Sequence, residues 1–285
     1  SQEAARSSSR KIADLYASYM DTKTLDALGL KPLQPELSQV KAIRDRHELA
    51  AMLGSLLRAD VDPLNDTNFH TINLFGLWTS PGFRSPAVYA VYLLQGGLVL
   101  PSSDYYLSNT AHMRQIRAQY AAHVTAMLRL AGYTDPAARA AKVLALEQSI
   151  AKVQESLADN EIVQNANNVW TPADFAAKAP GLDWRAYFAA AGLTRQREFY
   201  VWQPSAFAGE SALVASVPLA TWKDWLAFHL LEEYGPFLSH PFEQETFDFE
   251  GKVLTGVPQQ QARWKRAVDL VNAYLGAAVG QIYVA

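Results

Sequence analysis

His47-Glu48 is the pair in this chain closest to hydrolytic chemistry. On a helix, HExxH sets two imidazoles on one face around a glutamate base, an arrangement that binds zinc and activates its water. Here the second imidazole position holds Ala51, so the motif fails. Asp45 to Glu48 instead has capping-box spacing, with the Glu48 carboxylate expected to reach back to the Asp45 amide. Glu155 and Asp159 form a carboxylate pair at i, i+4 near a helix end, the pattern of a solvated surface. The histidines, His47, His70, His112, His123, His229 and His240, never recur at i, i+4, so helix-borne chelation has no local support. Ser102 and Ser103 lack a nucleophile elbow and an evident base, which leaves capping or loop hydrogen bonding. Gln95-Gly96-Gly97 lacks the spacing and the lysine of a phosphate loop. Glu232, Glu233, Glu243 and Glu245 are expected on exposed faces. No catalytic, cofactor-binding or metal-ligating residue is expected within the chain.

The elements that must carry these residues read mostly as helix. Ile12, Leu15, Tyr16, Tyr19 and Met20 fall at helical spacing, closed by Gly29. A second helix runs through Leu49, Met52, Leu53, Leu56 and Leu57. Ile72 to Trp78 and Ala87 to Leu94 are rich in β-branched and aromatic residues, and Ser80-Pro81-Gly82 between them predicts a hairpin. A long helix follows from about Thr110 to Ala131, with Met113, Ile116, Tyr120, Met127 and Leu130 inward. Asp135-Pro136 caps the next, which carries Val143, Leu146, Ile150, Val153 and Leu157 on one face. Thr171-Pro172 and Asp183-Trp184 start shorter helices, and Tyr200 to Trp202 is a short strand. Long helices follow over 218–238 and 260–280, joined by a Phe-rich, partly helical stretch from Ser239 to Gly256. Helical spacing assigns Trp78, Trp170, Trp184, Trp202, Trp222, Trp225 and Trp264 to core packing rather than to a binding wall. No linker or repeat interrupts the chain, so residues 1–285 are expected to form one mainly α, multi-helix domain with a small β-hairpin.

Composition sets the outer limits. A chain of 285 residues is long enough to bury a sizeable core, and 49% hydrophobic with 19% charged residues is globular. A net charge of −3 without a Lys/Arg cluster argues against a nucleic-acid partner. The longest apolar run, Ala87 to Leu94, covers eight residues, too few for a membrane span. Ser1-Gln2-Glu3 opens on polar residues, so no secretory leader is expected in these residues. Zero cysteines exclude disulfides and thiol chemistry and leave the compartment open.

Ordered fragments then accumulate. Leu15 to Asp21, Ile72 to Phe75, Gln95 to Leu107, Val143 to Ala151, and Trp170-Thr171-Pro172 with Leu182-Asp183-Trp184 recur in the order seen in neprilysin-like zinc peptidases, family M13. The most specific is Gln95 to Leu107, which resembles the signature Q-x-G-L-x-L-P-x-x-D-Y-Y. Arg263 to Arg266, leading to Val279 to Val284, is a second landmark. All of them resemble the part of the family that precedes the catalytic domain. Glu155 and Asp159 mimic the family's ExxxD zinc-ligand element, without an HExxH to complete.

The resemblance implies the substrate-enclosing lobe of a two-lobed zinc metalloendopeptidase, catalytically inactive alone. Oligopeptide substrate and the missing C-terminal catalytic domain would be its partners, and zinc the cofactor of the complete protein, with ligands outside this chain. A periplasmic or secreted location follows from the same resemblance. Tyr19 and Ala267 stand where disulfide-bearing relatives carry paired cysteines, so the two are expected to lie against each other. Trp78-Thr79-Ser80-Pro81 lacks the acidic residue usual near that turn. The family's upstream segment, with an arginine for the substrate's C-terminal carboxylate, would precede Ser1. Two other readings stand beside this one: a stand-alone helical module that holds a peptide or protein without cleaving it, and a structural adaptor with a large apolar interface.

Overall fold

The computed structural model describes residues 7–57, 70–160 and 162–284, without the side chain of Leu157. Ser1-Gln2-Glu3 lies outside the described residues. Contacts divide the chain into two compact units, Pro35–Leu231 and the paired ends Ser1–Gln34 with Glu232–Ala285.

Helices dominate both units. The N-terminal end contributes α1 (Ser8–Met20) and α2 (Thr22–Leu28). Next come α3 (Gln34–Ala42), α4 (Arg46–Ser55), α5 (Ser103–Leu107), α6 (Ala111–Leu130), α7 (Pro136–Val153) and α8 (Leu157–Asn160). The series continues with α9 (Pro172–Lys178), α10 (Trp184–Ala190), α11 (Pro204–Ser216) and α12 (Leu219–Tyr234). It ends with α13 (His240–Thr246) and α14 (Arg263–Tyr283). The starts follow side-chain chemistry: Ser7, Thr110 and Asp183 each accept the amide three residues on, and Thr171 with Asp174 forms a complete capping box. The Phe-rich stretch after α13 is a π-helix, Phe247–Leu254.

The hairpin is present, with a turn other than the expected one. Strands β1 (Phe75–Pro81) and β2 (Tyr89–Gln95) pair antiparallel from Phe75 opposite Gln95 to Pro81 opposite Tyr89. Ser80 and Pro81 stay in β1, and the reversal runs from Gly82 to Val88, whose carbonyl accepts the Gly82 amide at 2.9 Å. β1 is an edge strand, where a residue lacking an N–H is tolerated. Two short strands, β3 (Val169–Trp170) and β4 (Phe199–Val201), extend the pair to a sheet of order β1-β2-β4-β3. β2 and β4 run parallel, and β3 opposes β4.

Pleat alternation gives the sheet two aromatic layers. One holds Phe75, stacked on Phe207 with centroids 4.2 Å apart and edge-on to Tyr187. The other holds Trp78, Tyr92, Tyr200 and Trp202, with Tyr92 stacked on both Trp78 and Tyr200. Trp78, Trp170, Trp184, Trp202, Trp222 and Trp225 are all buried, as their spacing predicts; Trp264 is 52% exposed.

Several expectations need correction. Leu130 is exposed, and the buried seam of α6 runs through Val124, Met127 and Leu128. Asp135 holds a left-handed backbone (φ 51°) and makes no capping bond. Glu155 and Asp159 share no helix, because α7 stops at Val153. The Glu48 carboxylate accepts the Arg44 amide rather than that of Asp45, while Asp45 caps as expected by accepting the Glu48 amide.

Candidate functional site

The segment Gln95 to Leu107 is fixed from both ends. At its start a Cβ on Gly96 would stand 2.2 Å from the Asn73 carbonyl oxygen, and Gly97 adopts φ 87°. Only glycine fits this pair without strain. Leu98 and Leu100 are buried, and α5 then turns Tyr106 inward. The Tyr106 hydroxyl accepts the Leu100 amide at 3.0 Å and donates to Glu147 Oε2 at 3.1 Å. The signature thus closes on itself through one phenol.

Glu147 is the node of this arrangement. It is completely buried on α7 and accepts the Tyr120 hydroxyl (2.8 Å to Oε2) beside that of Tyr106. His229 of α12 places Nε2 2.8 Å from Glu147 Oε1 and Nδ1 2.7 Å from the Ile72 carbonyl oxygen. A carbonyl only accepts, so Nδ1 carries a hydrogen. Burial and the nearby Glu147 carboxylate push the Tyr106 hydroxyl well above its usual range. Four separate pieces of the sequence are thereby tied to one carboxylate: the strand approach at Ile72, the signature at Tyr106, α6 and α12.

A small polar pocket opens beside the signature, lined in part by Gln95, Ser102, Ser103, Gln154, Glu155 and Asn160. Much of its polar wall is committed internally. The Gln95 amide group donates to the Glu155 carbonyl and accepts the Glu155 amide, both at 2.9 Å. Ser205 donates to Glu155 Oε1 at 2.6 Å. Gln154 Nε2 donates to the Gly96 carbonyl at 2.6 Å and to buried Glu210 at 3.2 Å. Burial raises the Glu210 carboxyl well above the usual range. Such a wall braces a loop; it offers no paired nucleophile and base.

The other singled-out residues remain apart. His47 is exposed and bonds Asp183 Oδ2 at 2.8 Å; His112 and His240 are exposed; His123 packs edge-on against Phe228. Ser102 takes the N-cap position of α5 without a side-chain capping bond. Among the described residues, no group of three or more His, Cys, Asp or Glu could hold a metal ion. The residues described therefore do not fit a zinc centre.

Two acidic residues expected at the surface are buried, Glu232 and Glu243; Glu233 and Glu245 are half-buried. For Glu243 the reason is plain. Arg263 Nη1 donates to both of its oxygens, at 2.6 and 2.9 Å, and Arg266 Nη1 donates to Oε1. Tyr19 completes the cluster: its hydroxyl accepts from Arg266 at 2.8 Å, its carbonyl accepts from Arg263, and the Arg263 guanidinium lies 4.3 Å from its ring centroid. Burial raises the Tyr19 hydroxyl, and Arg266 opposes that. Ala267, one turn of α14 beyond Arg263, is completely buried. Tyr19 and Ala267 therefore belong to one helix pair, α1 with α14.

Comparison with known proteins places this geometry. The family model described as Peptidase family M13 matches residues 1–285. Neprilysin-3 of Drosophila melanogaster is 24% identical over 96% of this chain, and endothelin-converting enzyme-like 1 of Mus musculus 23% over 96%; each match takes in 36% of the relative. The zinc metalloprotease ZMP1 of Mycobacterium tuberculosis, solved in an open state, superimposes with a TM-score of 0.90 at 30% identity. That match covers 100% of this chain and 43% of ZMP1. The chain thus spans well under half the length of these relatives. It belongs to peptidase family M13, of which it is the N-terminal domain.

Proposed function

We propose that residues 1–285 form the non-catalytic, substrate-enclosing lobe of a zinc metallo-oligopeptidase that is secreted or periplasmic. The observation that carries this reading is a family match along the entire chain combined with a described structure that offers no grouping for a metal. The zinc ligands are assigned to polypeptide outside these residues, and zinc would there supply Lewis acidity and an activated water. The contribution of this lobe is mechanical. A wall braced at Glu147 and at Gln154 keeps its shape while shielding a peptide from bulk water and excluding folded proteins.

Peptide cleavage tests the division of labour. The complete protein is expected to cut oligopeptides in a chelator-sensitive manner, and residues 1–285 with added zinc to leave them intact. Chelator-sensitive cleavage by the 285-residue chain alone would overturn the proposal.

A further inference from the structure

Three residues weighed for chemistry, Ser102, Ser103 and Glu155, lie apart in the sequence and meet in the polar pocket beside the signature. Glu155 is held there with unusual care. Its Oε1 accepts the Ser205 hydroxyl at 2.6 Å, and its backbone is clamped from both sides by the Gln95 side chain. Gln95 is fixed in turn: Gln203 Oε1 accepts its amide at 3.0 Å, and Gln203 Nε2 donates to Asn160 Oδ1 at 2.9 Å. Gln95 and Gln203 are buried, whereas Glu155 is half-buried and lines the pocket. Two buried amides that position one accessible carboxylate form the supporting shell of a preorganised binding group.

The charge on that group is unanswered. Glu48, Asp174, Asp248 and Glu243 each face a lysine or an arginine. Glu155 faces a hydroxyl instead, and no lysine or arginine is among the described residues lining its pocket. His70 is the one other titratable side chain among them. Ser102 and Ser103 are half-buried beside it, and the Ser102 hydroxyl makes no capping bond. One negative charge among neutral oxygens is too little for a divalent ion, which collects several carboxylates. It matches an ammonium group, which brings three donors and no acceptor.

We infer that this pocket is a subsite for a protonated amine of an oligopeptide, a lysine side chain or an amino terminus, with Glu155 as counter-ion and Ser102 and Ser103 as neutral acceptors. The inference rests on the reading of the chain as a substrate-enclosing lobe, and adds to it a preference for charge.

Three short peptides test it on the complete protein, kept under chelator so that they stay intact: one with blocked ends and a single lysine, its norleucine counterpart, and the norleucine peptide with a free amino terminus. Wild type should bind at least one of the two charged peptides about tenfold more tightly than the blocked norleucine peptide. The preference should shrink in high salt. E155Q, which still offers Ser205 an acceptor, should abolish the preference, and E198Q, at an exposed position, should keep it. Equal affinity for all three peptides in wild type overturns the inference, as does an equal loss of preference in E198Q. Should E155Q fail to fold, carbodiimide coupling of the preferred peptide to the wild-type protein, mapped by mass spectrometry, decides the matter. An amide at Glu155 supports the inference, and coupling confined to other carboxylates overturns it. Restoring zinc separates the two levels. Cleavage without the preference sinks the subsite alone; the preference without cleavage sinks the peptidase reading alone.

Discussion

Glu147 and Glu243 are both buried carboxylates, and they are satisfied by opposite means. Glu147 receives two phenols and an imidazole nitrogen. Glu243 receives two guanidinium groups, with the Tyr19 hydroxyl beside it. The first node is sealed, with His229 at 6% side-chain exposure; the second stays wetter, with Arg263 and Arg266 at 17% and 20%. The contrast teaches where rigidity resides. Around Glu147, four sequence segments lose their partners together if the node fails. Around Glu243, redundant cations hold the chain ends with a bond that water and salt can reach.

The sharpest way to break the comparison is E147A. It leaves Tyr106 and Tyr120 without their shared acceptor and His229 Nε2 without its partner in a buried site, so a loss of about 3–5 kcal/mol is expected. Urea denaturation followed by near-UV signal reads it directly. E147Q keeps shape and some bonding and should cost about 1–3 kcal/mol. Equal tolerance of both substitutions would show that the node is not the brace described above.

At the clasp, R263A and R266A should each cost about 1–3 kcal/mol, since a single guanidinium still faces Glu243 in either variant. The double variant strands a buried carboxylate and should cost more than the sum, by the coupling that a double-mutant cycle measures. Salt sharpens the same contrast. Amide exchange in α1 should accelerate between low and high ionic strength, whereas exchange around Glu147 should not respond, because screening reaches partly exposed ion pairs and not sealed ones. An identical salt response in both regions would remove the distinction.

Much of this was legible in the residues. Apolar spacing locates the long helices, and richness in β-branched and aromatic residues locates β1 and β2. The nodes were less visible, for physical reasons. His229 and Glu147 are 82 positions apart, so no local spacing joins them. One signal was available: Glu147 falls between Val143 and Ile150 on the apolar face of α7, where a charged residue needs a partner. Glu243 looked like a surface residue because its cations come from another helix. The Gly82–Val88 turn is hidden in the sequence because Ser80-Pro81 reads as a breaker, although edge strands accept proline. The expected pairing with Ala267 points to Tyr19, whereas no local spacing points to the arginine cluster around it.

The smallest expected effect is at the exposed pair His47 and Asp183. The hydrogen bond to Asp183 raises the His47 imidazole above its ordinary value. Bonds from the Ala186 amide and from His47 hold Asp183 below the ordinary carboxylate range. The signs are fixed by linkage. A raised imidazole contributes stability that is complete below its unfolded value and is lost as pH rises through the folded one. A lowered carboxylate contributes above its unfolded value and fades as pH falls through the folded one. The pair therefore acts in mildly acidic solution, between the carboxylate range and the raised histidine value, and disappears on the alkaline side. H47A should lower the melting temperature slightly at about pH 5.5 and leave it unchanged at about pH 8.5, on either side of the ordinary histidine range. Because Asp183 also caps α10, D183N should retain part of the cap and remove the pH dependence. A melting difference for H47A that is the same at both pH values would mean that this pair contributes packing alone, unlike either buried node.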